Sequence, residues 1–312
     1  MASRVAGSAA AAGNGPADNG PVDNGPGEIT RPREARPPQT RPPQTLGERL
    51  RPYRAVLASR ARSQRAYRTS FTLDLGSSAL VGLVELAEVW VLFSNVTALG
   101  GMRFNQILLV FGLADLAFSL ADLSFGHLDT LPDFLRAGTL DAFYLRPQPI
   151  LLRLITSDVS LRRLARAAVG AAALGIGLAT AGVTGDARTA ALLPLALVSG
   201  YATFAGLYVW AAGLQFFLLD GAEMTNAFVY GGRYAATQPA AVWSRPLKLV
   251  FGFFFPMAFT AYLPTVTLLG LPGPDWLPAW LGWCAPAAAA WSWLMGLLCW
   301  RWGLRHYQGG GG

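Results

Sequence analysis

Residues 104–125 read FNQILLVFGLADLAFSLADLSF, twenty-two residues with two charges, Asp115 and Asp122. As a helix rising about 1.5 Å per residue this stretch reaches about 33 Å, enough to cross a hydrocarbon core about 30 Å thick. Working outward, five other stretches have the same character. They are Phe71–Val96 before it, then Leu164–Val183, Ala190–Leu219, Leu247–Leu271 and Leu281–Trp302. The fold class expected is all-α: a polytopic membrane protein with six transmembrane helices.

Composition agrees. Of 312 residues, 53% are hydrophobic and 14% charged, whereas a soluble domain is about a quarter charged. This excludes an ordinary cytosolic enzyme, and it turns the net charge of +7 away from a nucleic-acid partner. Cys284 and Cys299 form no CxxC pair, and His127 and His306 lie far apart, so neither a disulfide framework nor a His-rich metal site is expected. The 24 Arg against one Lys, with abundant Ala, Gly and Pro, suggest a high-GC bacterial source.

Four domains are expected: a tail (1–48), an amphipathic interface segment (49–70), the six-helix permease domain (71–303) and a short carboxyl tail (304–312). In the tail Asn-Gly-Pro recurs at 14, 19 and 24, and Arg-Pro-Pro-Gln-Thr at 36 and 41. With little apolar area to offset ordering entropy, this segment reads as solvated low-complexity chain.

Basic residues orient the spans. With the amino terminus cytoplasmic, eighteen fall inside, among them Arg60, Arg65, Arg136, Arg146, Arg153, Arg163, Arg166, Arg233, Arg245 and Lys248; only Arg103 and Arg188 fall outside. Both termini are therefore expected in the cytoplasm, with the inner charges facing anionic headgroups. Trp276, Trp280 and Trp283 gather near the outer end of the last span, as interfacial aromatics do.

The connection between the second and third spans reads Leu135-Arg136-Ala137-Gly138-Thr139-Leu140-Asp141, then Leu145-Arg146-Pro147. Leu131, Phe134 and Leu135 have helical spacing, which predicts a short amphipathic helix at the inner surface. Gly138 should bend or end it, and Pro147 should stop the next piece.

This pattern resembles the cytoplasmic connection of a bacterial six-span branch of ABC type-2 permeases, in which an Arg-x-Gly-x-Leu-Asp stretch leads to Leu-Arg-Pro. Tyr67-Arg68-Thr69-Ser70-Phe71, Glu223 and Asn226, Gln238-Pro239, and the set Pro256, Ala258, Phe259, Tyr262-Leu263-Pro264 and Leu268-Leu269-Gly270 are similar to that branch in the same order. The likeness covers residues 50–303. It implies a permease subunit of an ATP-driven transporter, usually an exporter, in the bacterial cell membrane. It further implies a second permease subunit, identical or paralogous, and separate cytoplasmic ATPase subunits carrying ATP and Mg. The coupling element to the ATPase would be the segment holding Phe134, Arg136, Gly138, Leu140, Asp141 and Arg146. No Gly-x-x-x-x-Gly-Lys-Ser/Thr loop occurs in the chain, so it should bind no cofactor itself and should not be an enzyme.

Carboxylates at membrane depth are the remaining candidates. Asp74, Glu85 and Glu88 lie on the first span, Asp115 and Asp122 on the second. Glu85 and Asp115 should lie at similar depth in antiparallel helices, making an acidic stripe with no basic partner inside any span. Glu85, Glu88, Asp115 and Asp122 either line a path for a cationic group or protons, or are neutral carboxyls hydrogen-bonded within the bundle. The first option supports an alternative function, a proton-coupled secondary transporter, although no inverted repeat is evident. Pro256 and Pro264 should interrupt the fifth span, as a gating or a static kink. The glycines of the third span should permit close helix approach. No His-Glu-x-x-His and no Gly-x-Ser-x-Gly turn suggests a membrane-embedded enzyme.

Overall fold

A computed structural model describes residues 68–144, 149–157, 163–218, 222–273 and 277–307. Within them the protein is all-helical, with no strand. The tail, most of the 49–70 segment, and Arg146 with Pro147 lie outside the described residues.

Twelve α-helices are described: α1 (Arg68–Asn95), α2 (Phe104–Phe125), α3 (Leu131–Arg136), α4 (Asp141–Tyr144), α5 (Ile150–Ser157), α6 (Arg163–Thr180), α7 (Ala187–Gln215), α8 (Ala222–Thr225), α9 (Gly231–Ala236), α10 (Arg245–Leu249), α11 (Tyr262–Leu269) and α12 (Ala285–His306). Five helical stretches are long and apolar enough to cross a membrane, built on α1, α2, α6, α7 and α12. A sixth is bent: Arg245–Phe254 and Met257–Leu269 qualify only as a pair, with a 67° break between them. The outer faces are apolar, with Leu73, Leu80, Trp90, Val198, Leu294 and Trp302 each more than half exposed, as suits helices whose solvent is lipid.

Lipid tails give apolar helices no hydrophobic reason to associate, so small residues that bring backbones together do that work. The α2–α6 seam shows it. A Cβ on Gly170 would stand 2.7 Å from the Leu116 backbone nitrogen, and one on Gly177 2.8 Å from the Leu109 backbone. Gly112 answers from α2 against Leu174. Residue numbers fall on one helix as they rise on the other, so the pair is antiparallel. Gly175 and Gly182 meet nothing within 4 Å; of the expected third span's Gly170, Gly175, Gly177 and Gly182, two make the seam. Helices α7 and α12 run parallel through a second seam, Gly206 on Ser292 and Gly213 on Trp300.

Asn105 Nδ2 donates to the Thr180 carbonyl at 2.6 Å, so the start of α2 and the end of α6 share one end of the bundle with the α1–α2 turn. The α2–α6 connection, the end of α7 at Gln215 and the end of α12 share the other. At that second end Gln215 Nε2 donates to Thr225 Oγ1 at 2.7 Å, and Pro239 and Ala241 pack on Gly100 at the first. Residues 222–242 therefore run from one end to the other through α8, a π-turn (Asn226–Tyr230) and α9. The sequence reading made this stretch a loop between the fourth and fifth spans; it is instead a packed helical segment too polar to register as a span.

Asp186 caps α7 by accepting from the Thr189 backbone N–H at 2.8 Å. That hydrogen bond holds its carboxyl below the ordinary aspartate value.

Candidate functional site

Arg233, on α9, is buried between α1 and α2. Its Nε and Nη2 donate to Asp115 Oδ1 at 3.2 and 2.5 Å. Its Nη1 donates to Glu85 Oε1 at 2.8 Å, and Nη2 also reaches Glu85 Oε2. Arg166, in the first turn of α6, donates from Nη2 to the same Glu85 Oε1 at 2.8 Å. The Phe118 ring lies beneath both cations, 5.0 Å from Arg233 Cζ and 5.9 Å from Arg166 Cζ. Asp115 is fully buried, and a lone carboxylate there would be prohibitively costly; the forked guanidinium supplies both charge and donors. Its second oxygen has no hydrogen-bond partner and lies where a Cβ on Gly170 would meet it at 2.9 Å.

A second cluster sits further along α2. Arg163 Nη1 pairs with Asp122 Oδ1 at 3.0 Å and also reaches the Asp122 carbonyl. Tyr208 Oη donates to Asp122 Oδ1 at 2.6 Å, and Tyr230 Oη donates to Asp129 Oδ2 at 2.9 Å. A Cβ at position 126 would stand 1.6 Å from Arg163 Nη1, so Gly126 makes the space the guanidinium occupies.

These pairs correct the expectation of an acidic stripe without basic partners. Glu85 and Asp115 do meet at one level, but Arg233 bridges them, Arg166 adds a second cation on Glu85, and Arg163 serves Asp122. By sequence all three arginines read as inner-surface loop charges. Arg163 and Arg166 are instead the first turn of a span, from which long side chains reach inward. Arg233 belongs to the polar segment that crosses the bundle. Arg245 follows Val242, which packs at the Gly100 end, so Arg245 and Lys248 do not join the inner group either. Tyr208 and Tyr230 were also missed; a lone Tyr in an apolar run carries no signal beyond its need for a partner when buried.

The other residues singled out are placed as follows. Glu88 is exposed on α1 and borders, with Glu85, Arg233 and Tyr234, a space of about 20 Å³, room for one water. Leu131 and Leu140 are fully buried, Phe134 is half-buried, and Arg136 and Asp141 are exposed. Gly138 has φ +64°. With Thr139 N–H donating to the Phe134 carbonyl and Gly138 N–H to that of Leu135, it closes α3 in a Schellman motif. The predicted amphipathic helix is thus two short helices around a glycine knuckle. Phe134 meets Phe143 edge-on at 5.6 Å, Arg153 covers Phe143 at 4.3 Å, and Tyr307 Oη donates to Asp141 Oδ1 at 3.0 Å.

Pro256 stands at the 67° break. Pro264 lies in the first turn of α11, where a missing N–H removes no helical bond, so it interrupts nothing; the helix simply starts ahead of it. Among the described residues no group of three or more His, Cys, Asp or Glu is arranged to hold a metal ion.

With Glu85, Asp115 and Asp122 in ion pairs, a proton relay loses the free carboxylates it requires. Residues 80–311 match a family described as ABC-2 family transporter protein. No curated protein and no solved structure matches the chain. The family match spans every described helix from within α1 to the end of α12, including both arginine clusters and the Gly138 knuckle. The chain is a multi-pass membrane protein and belongs to the ABC-2 family of transporters.

Proposed function

We propose that this chain is the permease subunit of an ATP-driven exporter in a bacterial plasma membrane. It forms the substrate path with a second permease subunit, and cytoplasmic ATPase subunits bind ATP and Mg. The single observation that supports the coupling reading is the knuckle Leu131–Tyr144. It is anchored by buried Leu131 and Leu140, tied to the carboxyl end through Asp141 and Tyr307, and presents Arg136 and Asp141 outward. A rigid, charged projection at the end of the bundle that holds the α2–α6 connection suits transmission of ATPase closure to α2 and α6. Closure would then shift the bundle between inward- and outward-facing states. The break at Pro256 supplies one place for the bundle to flex.

The test is reconstitution with a cytoplasmic ABC ATPase that co-purifies with the chain. Arg136→Ala and Asp141→Ala should retain insertion and ATP hydrolysis yet lose transport; normal transport in both removes the coupling role.

A further inference from the structure

Glu88 lies one turn along α1 from Glu85, and its depth follows from how α1 packs on α2. The two helices are antiparallel, with Phe93 against Phe104 at 5.6 Å toward one end and Glu85 joined to Asp115 through Arg233 further in. Asp115 stands at the middle of the twenty-two-residue α2. Glu88, three residues beyond Glu85, is therefore about 4.5 Å from that middle level, well inside the hydrocarbon thickness.

Its direction follows from the turn of the helix, about 100° per residue. Gly82 and Val89 face the bundle, Gly82 against Val169 and Val89 buried. Leu80 and Trp90 point away from it, each more than half exposed. Between these two sides Asp74, Ser77, Val81, Glu88, Leu92 and Asn95 share one exposed flank, within an arc of about 60°. Ser77 and Asn95 donate back to carbonyls of α1, each at 3.0 Å. An ionised carboxylate can only accept, and among the described residues no hydrogen bond or ion pair reaches Glu88.

The neighbouring cations are committed elsewhere. Arg233 holds Glu85 and Asp115, and Arg166 holds Glu85. Two guanidiniums and two carboxylates cancel, which leaves Glu88 as one negative charge in excess. A carboxylate turned toward lipid at this depth is costly; such groups face a polar path or a partner instead. Across a small cavity the flank meets Tyr234 and Gln238 of the 222–242 segment. Tyr234 is 59% exposed, and the face of an aromatic ring attracts organic cations. Val81 and Leu92 add apolar surface on the same flank. A metal ion would find one carboxylate where it needs several ligands, whereas a hydrophobic organic cation finds a counter-charge, a ring and an apolar bed.

We propose that Glu88 and Tyr234 receive the positively charged nitrogen of a hydrophobic organic cation that moves along this flank of α1. On the permease reading, on which this rests, such a cation is the class of cargo.

The test measures binding of tetraphenylphosphonium and tetraphenylborate, ions of like size and opposite charge, to the full chain in neutral detergent with the subunits that co-purify with it. Glu88→Gln should weaken tetraphenylphosphonium binding about tenfold, the ratio for one lost charge contact, and should not weaken tetraphenylborate. Glu88→Lys should turn the preference toward the anion. Tyr234→Leu should weaken the cation about threefold and Tyr234→Phe should not. Both side chains are exposed, so the thermal transition should be unchanged in all four variants. Equal affinity of Glu88→Gln and the parent chain for tetraphenylphosphonium, or an unchanged preference in Glu88→Lys, overturns the proposal. Loss of a second permease subunit from Glu88→Gln, with cation binding intact, also overturns it and assigns the carboxylate to an interface. Binding is read without ATP turnover, so either failure leaves the permease reading standing.

Discussion

Arg233 and Asp115 stand 118 positions apart in the chain and meet at 2.5 Å, both buried. The contact fastens the polar segment 222–242 to α2, and through Glu85 to α1. Removing one partner of a buried pair costs about 3–5 kcal/mol, because the other charge is left uncompensated.

Arg233→Ala should therefore lower the melting temperature steeply in detergent. Arg233→Ala combined with Asp115→Asn should recover part of that loss, since no naked charge remains. Strictly additive losses in the double variant would show that the two side chains do not act as a pair.

The glycine seam gives a second, sterically defined prediction. Gly170→Leu and Gly177→Leu press a side chain onto the backbone of α2, an overpacking that costs about 1–3 kcal/mol or more. Gly175→Leu, on the same helix with nothing within 4 Å, should be neutral. Equal melting temperatures for all three would contradict the seam.

Asp186 supplies a pH signature outside the membrane. Its carboxyl is held below the usual 3.8 by the Thr189 N–H. A depressed folded pKa contributes stability above the unfolded value, lost as pH falls through the folded one. Asp186→Ala should thus lower the melting temperature near neutrality, and the gap to wild type should narrow as pH falls below the ordinary aspartate value. A gap that persists at acid pH would place the effect elsewhere.

Much of this fold was legible because apolar length is a strong signal. The α2 stretch was placed to the residue, and the starts of α6 and α7 fell within three residues of those expected. Gly138 was legible as a helix stop because a glycine between helical runs has a stereochemical meaning. The ion pairs were not legible. A basic residue beside an apolar run reads as a loop charge, and nothing in Arg163, Arg166 or Arg233 alone says that its side chain turns inward. The segment 222–242 hid for a related reason: Glu223, Arg233 and two glycines dilute its apolarity, while Thr225, Tyr230 and Arg233 find partners inside the bundle. Pro264 misled because a proline in a first turn looks, in sequence, like a proline in a helix middle.

The proposed coupling role requires the Leu131–Tyr144 knuckle to face the cytoplasm, where an ATPase can reach it. Thr139→Cys, in a chain with Cys284 and Cys299 replaced by Ala, places one thiol at the exposed tip. A membrane-impermeant maleimide applied to intact cells should leave it unmodified and should label it fully after permeabilisation. Labelling in intact cells would put the knuckle on the outer face and contradict the account.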